Sequence, residues 1–263
     1  MVQAYEHFDT EVVAVRPVGA SLVRVTFSGL PHLTSDGPDQ RVKVFLPTPV
    51  VSARAVPRGA DWYQRYRLLP EHARPVMRTY TLRAVRDGQA DIDFVRHGDT
   101  GPASRWAEAA AAGDEVVIWG PDARFTGDRG GADYAPGDAR WQLLVGDETA
   151  LPALSGIVAG LAGDAVARVV VEIPDPADRV DFGAGEGVRV EWVVRGDRPH
   201  GVGLVKAVCA EAPPDGPGYA WVAGEAAAVR QVRRHLVRGC GMDKARVYFC
   251  GYWRLGAPED AQR

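Results

Sequence analysis

Apolar residues alternate with polar ones through the first half of the chain, and the period lengthens in the second. In Leu22–Ser28, Val23, Val25 and Phe27 occupy every second position, the spacing of a strand with one buried face. Glu11–Arg16 has the same Val- and Thr-rich character, with Gly19-Ala20 in the connection between the two. Arg41–Leu46, Arg78–Arg83, Asp91–Arg96 and Glu115–Trp119 complete a set of six predicted strands. The Pro- and Arg-rich stretch from Pro47 to Met77, with Trp62, Tyr63 and Tyr66, predicts a long functional or mobile loop. A short helix opens at Pro102-Ala103-Ser104, continues through an Ala-rich stretch and stops at Gly113.

From Phe125 to Ala139 the chain is dense in Gly, Asp and Pro, which predicts a linker. Beyond it lie five short Val-rich runs: Trp141–Val145, Val166–Ile173, Val188–Val194, Tyr219–Ala223 and Val247–Cys250. Helical stretches separate three of the intervals, among them Ala150–Leu161 and Glu225–Val237. In the latter, Val229, Val232 and Leu236 recur at helical spacing before Gly239. The pattern predicts an antiparallel six-stranded β-barrel over 1–125, a linker over 126–139 and a five-stranded parallel-sheet α/β domain of nucleotide-binding type over 140–263. Ligands of such a sheet lie at the carboxyl ends of its strands.

Composition narrows the function. The 263 residues are 46% hydrophobic and 25% charged with a net charge of -3, which argues against a nucleic-acid partner. The longest uncharged apolar run, Ala150 to Gly163, falls short of the roughly 20 residues that cross a bilayer. Glu6, Asp9, Glu11 and Arg16 interrupt any leader-like apolar core, so the expectation is a cytoplasmic protein with no membrane partner. The three cysteines form no C-x-x-C pair and are expected to be small buried residues, and the six histidines show no metal-ligand spacing. Between Arg41 and Arg86 ten basic residues face two acidic ones. Such a run is either a set of solvated loop arginines or a cationic mouth for an anionic small molecule.

Arg78-Thr79-Tyr80-Thr81 places Arg78 and Tyr80 on one face of a strand and Thr81 on the other. An arginine beside a tyrosine can pair with a phosphate and cover a flat ring, and a neighbouring hydroxyl can bond a ring nitrogen. Further on come His97-Gly98 and then Gly101–Trp106 at a helix start, where backbone N–H groups and the Ser104 hydroxyl form an anion site or a plain cap. Together the two motifs suit a flavin dinucleotide held at its ring and at its pyrophosphate.

With Gly146–Pro152, Val222–Glu225 and Gly251–Arg254 following in order, nearly the whole chain resembles the siderophore-interacting proteins. That branch of the ferredoxin–NADP reductase superfamily binds FAD and reduces ferric siderophores. The resemblance implies FAD contacts at Arg78, Tyr80, Thr81, His97, Gly101, Ala103, Ser104 and Trp106. It implies further contacts at Thr149, Ala150 and Trp253, the last covering the second face of the flavin ring. Ferrous iron is softer and less charged than ferric, so reduction loosens a hard oxygen-ligand shell. The protein then needs no resident metal but does need cations near the ring, and Lys43, Arg124 and Arg254 are the candidates. NADPH is the expected electron donor, at Arg195, Gly224 and Glu225, with ferredoxin the alternative. Asp147 and Glu148 depart from the small residues usual in a Gly-rich phosphate turn and would repel a phosphate placed near them. Two other readings stay open: a general NAD(P)H:flavin or ferredoxin-type reductase, and a non-catalytic siderophore-binding protein.

Overall fold

The alternating first half closes on itself. The computed structural model describes residues 2–96 and 101–257. Strands β1 (Tyr5–Val18), β2 (Leu22–Ser28), β3 (Arg41–Leu46), β4 (Val76–Arg86), β5 (Gln89–Val95) and β6 (Glu115–Pro121) form a closed antiparallel barrel in the order β1-β2-β5-β4-β3-β6. Inward-facing Val12, Val25, Phe27, Val44, Ile92, Phe94 and Ile118 fill its core. The β4–β5 hairpin turns through Asp87 and Gly88, both at positive φ (46° and 72°), the backbone that a two-residue hairpin requires.

The long segment between β3 and β4 is not a plain loop. Helix α1 (Trp62–Leu68) and two 3₁₀ turns, Ala53–Ala55 and Glu71–Ala73, organise it. Trp62 and Tyr66, one helical turn apart, are buried with Val56 against Phe45, Met77 and Val117 on the outside of the barrel. Aromatic residues at helical spacing override the Pro-rich composition. His7 joins this cluster, its ring edge-on to Trp62 at 5.0 Å. Helix α2 (Pro102–Ala109) closes the barrel by laying Ala103, Ala107 and Trp106 on the core.

The second half is a five-stranded parallel sheet in the order β11-β10-β7-β8-β9. Its strands are β7 (Trp141–Gly146), β8 (Ala167–Ile173), β9 (Val188–Val194), β10 (Gly218–Glu225) and β11 (Val247–Trp253). Helices α3 (Leu151–Ala159), α4 (Val202–Cys209) and α5 (Ala226–Arg234) fill three of the four connections, and β7, β8 and β10 are the buried strands, with β9 and β11 at the half-exposed edges. Both the barrel and the sheet match the architecture expected from the sequence. Helix α5 continues as a π-helical turn, His235–Gly239, and the helical segment ends at Gly239, the stop expected from the sequence.

The chain divides into two compact units with the boundary between Ala132 and Asp133. The Gly-rich stretch is anchored on the barrel side, where Arg129 donates to the carbonyls of Asp122 (2.8 Å) and Phe125 (2.6 Å). Gly131 (φ +81°) leaves no room for a Cβ, which would lie 2.0 Å from the Tyr5 hydroxyl. The cysteines are not buried: Cys209 and Cys240 are exposed and Cys250 is half-buried. Among the described residues no helix is long and apolar enough to cross a membrane.

His7 yields a prediction for pH. Burial, with the Arg58 charge adding to it, lowers its pKa from 6.5 to about 4. The unfolded chain therefore binds a proton in the window between those values while the folded chain does not. Stability contributed by neutral His7 is expected to fall as pH drops through that window. Urea melts of wild type and His7→Phe from pH 7 downward should show a shallower loss in the variant, and parallel losses would refute the assignment.

Candidate functional site

In the barrel unit the register of β3 and β4 sorts the motif residues. Arg78 lies opposite Val44 and Tyr80 opposite Val42, whereas Thr79 lies opposite Lys43 and Thr81 opposite Arg41. Tyr80 packs on Phe94 at a ring distance of 4.3 Å, at the margin of the core. Thr81, Thr79 and Lys43 share the outer face, and the Lys43 ammonium reaches the Thr79 hydroxyl at 3.4 Å. Arg78 donates to the Met77 carbonyl at 2.7 Å. Thr81 is buried, yet its Oγ1 has no hydrogen-bond partner among the described residues. A buried hydroxyl left without a partner costs about 1–3 kcal/mol, so the site suits a ligand that supplies one.

At the second motif, Gly101 is the N-cap of α2 and has no side chain of its own to cap it. A Cβ on Gly101 would meet nothing within 4 Å, so open space lies there. Ala103 and Ser104 sit in the first turn, both buried. Trp106 is an anchor for α2: its ring stacks on Phe27 at 6.4 Å and tilts against Phe94 at 5.3 Å. His97 lies outside the described residues.

The candidate substrate cations differ in their surroundings. Arg124 pairs with Asp122 (2.8 Å) and with Glu6, so much of its charge is already matched. Arg254 is exposed on the bend after β11. Part of the Arg-rich stretch is charge-matched. Arg54 pairs with Glu115 at 2.8 Å, Arg58 with Asp9 at 2.5 Å and Arg86 with Asp91 at 2.8 Å, acids contributed by strands outside the run.

The carboxyl ends of the parallel strands hold a buried charge network. Asp147, after β7, accepts from the Thr149 N–H (3.0 Å), the Glu225 N–H (2.7 Å) and the Trp253 indole N–H (2.9 Å). The Thr149 hydroxyl donates to the same carboxylate. Burial and neighbouring Glu148 raise the Asp147 pKa to about 6 against the pull of these donors. Gly224 (φ +141°) lets the carboxylate approach, since a Cβ there would lie 2.6 Å from its Oδ2.

Glu148 is fully buried and pairs with Arg195 at 3.0 Å, while Glu172 stands 3.7 Å from the same guanidinium. Burial raises the Glu148 pKa, and the Arg195 bond opposes the rise. His200 packs edge-on against Trp253 at 4.9 Å, and its buried Nδ1 has no hydrogen-bond partner among the described residues. Burial, then the Arg195 charge, lowers its pKa.

Several expected roles change here. Arg195 is buried in an ion pair and does not stand ready for a 2′-phosphate. Glu225 caps α5, accepting from Ala227 N–H (2.6 Å) and Ala228 N–H (3.0 Å). Ala150 is the N-cap of α3 and fully buried, and Thr149, in the 3₁₀ turn before it, is bonded to Asp147. Asp147 and Glu148 are structural caps and pair partners, not exposed acids. Sequence reading missed Glu172 and His200. Glu172 had a signal: it is the lone acid in Ala167–Ile173, between fully buried Val171 and Ile173.

Residues 11–125 match the model of the siderophore-interacting FAD-binding domain, and residues 139–256 that of the siderophore-interacting protein. The chain belongs to the siderophore-interacting protein family. It is 32% identical to the ferric vibriobactin reductase ViuB of Vibrio cholerae, over 95% of this chain and 90% of that protein. It is 29% identical to the NADPH-dependent ferric-chelate reductase of Escherichia coli, over 92% and 91%. The crystal structure of a siderophore utilization protein from T. fusca superposes with a TM-score of 0.82 at 31% identity, covering 98% of this chain and 96% of that one.

Removing Glu148 strands Arg195 in a buried site. Glu148→Ala is expected to lower unfolding stability by about 3 kcal/mol, since a buried charge loses its main partner. Chemical denaturation monitored by circular dichroism reads this directly, and a loss below about 1 kcal/mol would show that the pair is solvated.

Proposed function

We propose that this protein is an FAD-dependent reductase of ferric siderophores that works in the cytoplasm and draws electrons from NADPH. The observation that carries the reading is the buried Thr81 hydroxyl, without a hydrogen-bond partner among the described residues, on the strand that carries Arg78 and Tyr80 on its other face, in a barrel that matches an FAD-binding domain. The names of the Vibrio and Escherichia relatives support ferric-siderophore chemistry, and the latter supports NADPH.

When bound, FAD accepts electrons in pairs and passes them on singly, as one-electron reduction of ferric iron requires. This chain's residues bind and orient. Arg78 supplies a guanidinium to a phosphate, Tyr80 lies along the ring system and the Thr81 hydroxyl meets a polar ring atom. The first turn of α2, with Gly101, Ala103 and Ser104, would offer backbone N–H groups to the pyrophosphate, and His97 precedes it in sequence. Trp253 is assigned to cover the ring, at the end of β11 where Asp147 holds its indole N–H.

The anionic ferric siderophore is the substrate. It is met by Lys43 and Arg254, with Arg124 contributing the charge that Glu6 and Asp122 leave unmatched. We assign the flavin to the domain spanning 1–125 and donor access to that spanning 140–263, joined by 126–139.

The protein is expected to purify yellow. Arg78→Ala should raise the FAD dissociation constant about 10- to 100-fold, the value of a charge-assisted bond. Colourless protein that cannot be reconstituted with FAD would overturn the reading.

In steady-state reduction of an anionic ferric siderophore, Lys43→Gln with Arg254→Gln should raise KM and flatten its salt dependence. A KM and salt response matching wild type would remove these cations from the site.

A further inference from the structure

A parallel α/β sheet ordinarily takes the pyrophosphate of a dinucleotide onto the backbone N–H groups of helices that start at its strands' carboxyl ends. Here the chain's own carboxylates already accept at the starts of α4 and α5 and in the 3₁₀ turn that precedes α3. Asp147 takes the Thr149 N–H at the turn that leads into α3, and the Glu225 N–H at the end of β10. Glu172 reaches from β8 to the start of α4, accepting from Gly201 N–H (2.8 Å) and Leu204 N–H (3.1 Å). Glu225 takes two of the donors at the start of α5, Ala227 and Ala228. Asp147, Glu172 and Glu225 are all buried, so the caps belong to the packed interior and are not side chains that swing aside.

A phosphate brought to these positions would meet donors already engaged and carboxylates of its own sign. Arg195, the cation placed to relieve that repulsion, is taken by Glu148 at 3.0 Å with Glu172 at 3.7 Å. A Cβ on Gly224 would strike the Asp147 carboxylate, so the glycine serves the cap and not the approach of a ligand. The residues at these strand ends do not fit a dinucleotide's pyrophosphate.

We infer that Asp147, Glu172 and Glu225 set the donor specificity of this enzyme. They close the helix starts to the pyrophosphate, so a reduced nicotinamide is recognised by its ring and its AMP half adds no affinity. The inference rests on the nicotinamide-donor reading above. The atom that gives up the hydride, C4 of the dihydronicotinamide, is present equally in NADPH, NADH and reduced nicotinamide mononucleotide.

Anaerobic mixing of the yellow holoenzyme with each of the three tests this through the flavin absorbance. Second-order rate constants for the mononucleotide and NADPH are expected to agree within about tenfold, because remote binding energy is not used. An advantage of NADPH beyond about 100-fold would overturn the inference.

A calorimetric titration of oxidised holoenzyme with 2′,5′-ADP reads the AMP half independently of hydride transfer. Absence of saturation at millimolar concentration supports the inference, and micromolar binding overturns it. If no reduced nicotinamide bleaches the flavin, the donor reading fails and this titration still decides the matter of the adenylate grip. Glu225→Ala frees two backbone donors at the start of α5 and should gain at least about tenfold in affinity for inorganic pyrophosphate. No gain would remove Glu225 from the assignment.

Discussion

The α/β unit depends on buried carboxylates that terminate its helices from within. Each helix start exposes N–H groups without intrahelical partners, and in an open crevice water or a ligand satisfies them. In this chain Asp147, Glu172 and Glu225 do so from the strands and turns beside them, which ties the ends of β7, β8 and β10 to the helices α3, α4 and α5. Asp147 also gathers the Trp253 indole, and thus the end of β11. The cost of burying this many acids is offset by N–H donors and by Arg195, whose guanidinium lies between Glu148 and Glu172.

The barrel unit uses its two faces differently. The inner face packs Phe27, Ile92, Phe94 and Ile118, with the Tyr80 and Trp106 rings at its margin. The outer face of β3, β4 and β6 is divided: α1 covers Phe45, Met77 and Val117 with Trp62 and Tyr66, while Lys43, Thr79 and Thr81 stand on the same strands beyond that cover. The arrangement leaves the Thr81 hydroxyl without a partner among the described residues on the outer face, while Arg78 and Tyr80 of the same strand lie on the other, and most other buried polar groups are bonded. Packing that stops short of a polar group is what distinguishes a binding surface from a core.

Charge follows the same division between local appearance and assembled outcome. The run from Arg41 to Arg86 is strongly basic in sequence, but strand pairing brings Asp9, Glu115 and Asp91 to Arg58, Arg54 and Arg86. Most of these pairs are exposed and contribute little stability, while they cancel much of the field the sequence suggested. Lys43 reaches Thr79, and Arg254 lies exposed after β11.

By itself the sequence determined the strand order of events: six alternating runs, a Gly-rich interval, then apolar runs separated by helices. These are local periodicities, and a period of two or of 3.6 is written in neighbouring residues. It also determined the motif at Arg78–Thr81, because register on a single strand sets which side chains share a face. It did not reveal that Pro47–Met77 holds a helix, since the burial of Trp62 and Tyr66 depends on Phe45 and Val117 from other strands.

Nor did it reveal the fate of Arg195, Glu225 and Ala150. Position after a strand places a residue at the right end of the sheet but leaves its partner open. Glu148 and Arg195 are 47 residues apart, and only the parallel packing of β7, β8 and β9 brings them to 3.0 Å. Tertiary structure alone decided which acids became caps, because hydrogen bonds between distant elements form only once the sheet has set their separation.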